Sequence, residues 1–69
     1  MARAHHRGFK IETIKDGSLY RARVSLPDKS AFQVGGKSTT VWETGQAMDA
    51  SAAIGYAIMA IDSGKMASQ

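Results

Sequence analysis

The run FKIETIKDGSLYRARVSL at residues 9–26 decides the fold. Asp16 and Gly17 in its middle form a two-residue turn signal, with apolar and polar residues alternating on both sides. Setting Lys15 opposite Ser18 puts Thr13 against Tyr20, Ile11 against Ala22 and Phe9 against Val24. Those six share one face, and it is the apolar one. The other face pairs Ile14 with Leu19, Glu12 with Arg21 and Lys10 with Arg23. Turn chemistry and alternation agree on a β-hairpin with one side against a core.

Before the hairpin, residues 1–7 are polar, basic and without periodicity, and read as a flexible N-terminal arm. After it, Pro27 ends the second strand because proline cannot continue a central ladder. Residues 30–34 and 39–44 flank Gly36 and Lys37, which suits a type II′ turn. That register opposes Val34 to Thr39 and Phe32 to Val41, with Trp42 on the other face beside Ala31. Phe32, Val34 and Trp42 then compete for the core, and residues 30–34 stand open between strand and loop.

Residues 50–61, ASAAIGYAIMAI, carry no charge. Asp49 can cap the start of a helix here and Gly64 can end it. At 3.6 residues per turn, Ala50, Ala53, Ile54, Ala57, Ile58 and Ile61 form one apolar stripe. The opposite side, Ser51, Ala52, Gly55, Tyr56, Met59 and Asp62, is apolar over its middle as well. At about 18 Å the run is too short to cross a bilayer, which needs roughly 20 residues. The expectation is a helix covered on two sides, one by its own sheet and one by something else. Residues 65–69 read as a flexible tail, with no strand expected after the helix. The fold class is therefore α+β, an antiparallel sheet of three to four strands (β-β-(β)-β-α) with one C-terminal helix packed on one face. Residues 8–64 make a single domain.

A chain of 69 residues buries only about 60% of its unfolded surface. With no cysteine it has no disulfide or thiolate-metal staple, which fits a cytoplasmic location and favours oligomerisation as a source of stability. Residues 1–8 have a basic start but no apolar segment to follow, so no secretory signal is expected. The net charge of +3 is uneven: residues 1–23 carry six bases and two acids, the remainder three bases and four acids.

Few residues suggest catalysis. Gly35, Gly36, Lys37, Ser38 and Thr39 are similar to the end of a phosphate-binding loop, but position 31 holds Ala where that motif needs glycine, and a strand-like run follows instead of a helix. His5 and His6 are adjacent, so they point apart, and no metal site is expected. The carboxylates fall mostly in turns, caps and exposed strand positions, and the chain is too short for a deep pocket. A non-enzymatic protein without a cofactor is expected.

Two surfaces remain. Ala52, Tyr56 and Met59 on the outer side of the helix are candidate protein-interface residues, since tyrosine and methionine are enriched at such contacts. Arg3, Arg7, Lys10, Arg21 and Arg23 are candidate phosphate contacts, with Lys10 and Arg23 facing one another unfavourably unless an anion relieves them. The expected partner is a second copy (a homodimer) or another small protein, with no membrane. The alternative is a nucleic-acid-binding module using the basic sheet face and arm.

Asp16-Gly17, the run Tyr20, Arg21, Ala22, Arg23, Val24, then Pro27-Asp28 and the spacing of Ala53, Ala57, Ile58 and Ile61 resemble the HicB-like antitoxin domain. The resemblance spans residues 9–61 and departs from the family in residues 29–38. It implies a cytoplasmic bacterial protein that dimerises and holds a partner, often a small RNA-cleaving toxin.

Overall fold

The computed structural model describes residues 3–64 and 66–68. Met1, Ala2, Lys65 and Gln69, parts of the expected arm and tail, lie outside the described residues. The elements run β1 (Arg3–His6), β2 (Phe9–Asp16), β3 (Leu19–Ser25), β4 (Phe32–Val34), β5 (Lys37–Thr39), β6 (Trp42–Glu43), α1 (Ala50–Asp62) and β7 (Met66–Ser68). One antiparallel sheet has the order β1-β2-β3-β6, a smaller one the order β5-β4-β7, and α1 packs on β2 and β3 of the larger. The α+β class, the antiparallel sheet and the helix on one face are as the sequence predicts.

The β2–β3 hairpin keeps its predicted faces but slides by two residues. Asp16 pairs with Leu19, Thr13 with Ala22 and Ile11 with Val24. The turn sits on Gly17 and Ser18, with Gly17 at φ +66, the first central position of a II′-type turn. Asp16 serves as a tertiary acceptor instead of a turn residue. Its Oδ2 accepts from Arg21 Nε and from Gln46 Nε2, each at 2.9 Å. A slip of two preserves inside and outside because side chains alternate with a period of two. It also replaces the expected Lys10–Arg23 pair by Glu12 opposite Arg23 and Lys10 opposite Ser25, so opposite charges face each other.

The arm expected at residues 1–7 corresponds in part to β1, which pairs along β2 from Arg3 opposite Glu12 to His6 opposite Phe9. Arg7 at φ +51 and Gly8 at φ +84 close this hairpin, an arrangement that asks for positive φ at both turn positions. Arginine rarely adopts that conformation, which hides the turn from a reading of residue types.

The second hairpin also moves. Gly35 and Gly36, at φ +57 and +85, form the turn, and Phe32 faces Thr39. The run expected as one strand from 39 to 44 is divided between the sheets. Thr39 closes the bend: its Oγ1 donates to the carbonyl of Val41 at 2.7 Å and accepts from Val41 N at 3.3 Å. Trp42 then joins the larger sheet opposite Val24. The competition for the core is resolved in favour of Phe32, which is fully buried, while Trp42 is half-buried at the margin. Where no strand was expected after the helix, β7 pairs with β4, Val34 opposite Met66.

The core is Phe9, Ile11, Ala22, Val24, Phe32, Ala47, Ala53, Ala57, Ile61 and Met66. Alanine at 22, 53 and 57 removes side-chain bulk where helix and sheet meet and so allows close approach. Phe9 and Phe32 meet edge to face, ring centres 5.2 Å apart at 77°, and join the two sheets. Buried Thr44 accepts from Ala22 N at 3.0 Å and donates to the carbonyl of Gly45 at 2.8 Å. Asp49 caps α1 as expected, its Oδ1 accepting from Ala52 N at 2.7 Å. Gly64 at φ +81 follows the Ser63 C-cap and ends it.

Candidate interaction surfaces

α1 turns Ala53, Ala57 and Ile61 into the core, and Ile54 and Ile58 are half-buried beside them. At 100° per residue the centre of the opposite side falls on Gly55, with Ser51, Met59 and Asp62 on the same line. Met59 is 68% exposed and Tyr56 49%. Ala52, the third candidate residue, is half-buried and packs partly against the core, so it lies at the rim of the contact face. Met48, 82% exposed, precedes the extended Asp49 N-cap and stands outside the helix. A Cβ built on Gly55 meets nothing within 4 Å. Glycine inside a helix costs about 0.5–1 kcal/mol relative to alanine, and no tertiary contact within the described chain requires it here.

The opposite face of the larger sheet is charged. Arg3, Lys10, Arg21 and Arg23 come together on it, each beside a carboxylate. Glu12 lies 3.7 Å from Arg3 Nε and 3.5 Å from Lys10 Nζ. Glu43 lies 3.0 Å from Arg23 Nη2 and 3.9 Å from Arg21 Nη1, and Asp16 completes the chain at 2.9 Å from Arg21 Nε. Hydrogen bonds from Gln46 and Arg21 hold the Asp16 carboxyl below the usual carboxylate range. The register slip places Glu12 within this cluster of cations. A shallow, open depression on this face is lined by Lys10, Glu12, Arg23, Lys29 and Glu43 together with Ser25, Thr40 and Val41.

Arg7 does not belong to that face. It and His6 reach the C-terminal end of α1, where Arg7 Nε and His6 Nε2 each donate to Asp62 Oδ1 at 2.7 Å. The last turn of α1 contains no basic residue, and the β1–β2 turn brings the Arg7 guanidinium to the helix end, where a cation is favoured. Asp62 is held below its ordinary pKa chiefly by the His6 hydrogen bond, then by Arg7. His5 is the exposed neighbour on the other side of the strand. Among the described residues no group of three or more histidine, cysteine or acidic side chains is placed to hold a metal ion. Among the same residues no helix is long and apolar enough to cross a membrane.

Compared with protein-family models, curated proteins and solved structures, the chain matches none.

Proposed function

We propose that this chain is a non-enzymatic interaction domain that acts through protein contacts on the outer side of α1, with a second copy of itself as the partner. The observation that carries this reading is a helix without charge from Ala50 to Ile61 that leaves Met59 and Tyr56 in solvent. Exposed apolar residues scattered singly mean little, but Tyr56 and Met59 are neighbours three positions apart on a helix with no charge from Ala50 to Ile61. The small core of a 69-residue chain gains from such a partner. The HicB-like resemblance supports the same reading, and with it a bacterial protein of the cytoplasm.

The nucleic-acid alternative has less support. Each of Arg3, Arg7, Lys10, Arg21 and Arg23 has a carboxylate within ion-pair distance, so a phosphate would have to displace an existing partner.

Sedimentation or light scattering across a concentration series tests the proposal. Wild type is expected to pass from monomer to dimer, and Tyr56→Asp to stay monomeric with an unchanged circular dichroism spectrum. A wild-type chain that is monomeric at every concentration up to about 1 mM, the weak end of specific affinity, refutes self-association.

A further inference from the structure

We propose that the free edge of β1 takes an added β-strand from a protein partner, an extended acidic segment with carboxylates two residues apart. The site lies on the larger sheet and is independent of the outer side of α1. β1 comes first in the order β1-β2-β3-β6, and no described strand lies beyond it. Arg7 and Gly8 close its hairpin with β2, so His6 and Phe9 form the first hydrogen-bonded pair. Bonded and non-bonded pairs then alternate along the ladder. Ala4 and His6 therefore turn their N–H and C=O groups to β2, while Arg3 and His5 turn theirs outward. Both outward residues are exposed. Such a row of outward backbone groups is the template onto which an extended segment adds.

Charge selects the segment. Glu43, Arg23, Glu12 and Arg3 stand opposite one another in sequence across β6, β3, β2 and β1. The row alternates in sign and stops at the edge on a cation. Arg23 stands between two carboxylates, whereas Arg3 has Glu12 on one side, at 3.7 Å, and the open edge on the other. Glu12 also serves Lys10 at 3.5 Å, so two cations share one carboxylate beside β1. Toward β6, Arg21 and Arg23 meet Asp16 and Glu43, two against two. Among the described residues, the excess positive charge of this row thus collects at the β1 edge.

A fifth strand that continues the row places an acid opposite Arg3. On the same face it places a second acid opposite His5, whose imidazole can donate to it. The residue between the two acids faces Ala4, which packs partly against the core, and is therefore apolar. A second copy of β1 does not fit. Antiparallel pairing of two such strands through their outward groups sets Arg3 against Arg3, His5 or Arg7 of the other copy, and like charges across strands are unfavourable.

The probe is a labelled, end-capped peptide, Thr-Val-Glu-Val-Glu-Val-Thr, titrated with the full chain at low salt and followed by fluorescence anisotropy. A second peptide carries Lys in place of both Glu, and a third carries N-methyl groups on both Glu amides. The first is expected to bind about tenfold or more tightly than either of the others, because each control loses two charge pairs or two main-chain hydrogen bonds. His5→Pro removes one outward N–H and keeps the amides that bond β2, since proline is accepted where its missing N–H faces solvent. That variant is expected to bind the Glu peptide about fivefold more weakly, with an unchanged circular dichroism spectrum. Failure of the Glu peptide to bind at about 1 mM overturns the proposal. A Lys peptide that binds equally well overturns it too, as does binding that N-methylation leaves unchanged, which is attraction of charge without strand addition. The N-methyl comparison is made on the wild-type chain and so needs no variant to fold. All of these outcomes leave self-association through α1 untouched.

Discussion

Asp62 ties the two ends of the described domain together through one oxygen that accepts from both His6 and Arg7. Its pKa is depressed from 3.8, so the folded state favours the ionised form. The stabilisation is therefore present above the unfolded value and lost as pH falls through the lower folded one. Asp16 and Asp28 are depressed as well, Asp16 by Gln46 and Arg21 and Asp28 by hydrogen bonds from Ser30. Acid below pH 3.8 is thus expected to weaken the fold through three carboxylates. Asp62→Asn is expected to lower stability at neutral pH and to flatten the acid limb, read as the urea midpoint from pH 7 down to about 2. An acid limb of unchanged slope in that variant would mean that the clasp adds nothing. None of this was legible from residue types: a histidine and an arginine 56 and 55 positions from the aspartate carry no local signal.

At the scale of elements, local chemistry was most informative where one residue acts on its own backbone. Asp49 was readable as a cap, and it is one. Asp49→Ala is expected to cost about 1 kcal/mol, measured by denaturant unfolding, because the amide of Ala52 loses its acceptor. Strand faces were also readable, since alternation survives any slip by two. Registers were not. The sequence contains three adjacent candidate positions for the first turn, Asp16, Gly17 and Ser18, and local propensity does not separate them. The choice follows from Asp16 finding Gln46, thirty residues away, and from Glu12 coming opposite Arg23. β1 and β7 were missed for a related reason. Strands of three or four residues have little pattern of their own and form because β2 and β4 offer them an edge.

At the scale of the whole molecule, Phe32 joins the two sheets. It opens β4, the central strand of the smaller sheet, is fully buried, and meets Phe9 of the larger sheet edge to face. Phe32→Ala is expected to cost about 3–5 kcal/mol. A chain this short has only about 3–10 kcal/mol to lose, so most of the variant is expected to be unfolded at 37 °C. Trp42, the single tryptophan, reports on the larger sheet and circular dichroism on the whole. Their coincident loss would mean that the two sheets fold as one unit. A native Trp42 signal in the variant would make the smaller sheet a dispensable addition.

Sequence alone determined the α+β class, the faces of β2 and β3, both ends of α1 and its lack of charge. Each of these depends on interactions between residues a few positions apart, where period, turn chemistry and capping act directly. The registers, the division of residues 37–43 between two sheets, the burial of Phe32 over Trp42 and the pairing of the basic residues with Glu12, Glu43, Asp16 and Asp62 were decided only by tertiary structure. Those choices compare contacts between distant segments, and their free energies exist only once the chain has brought the segments together.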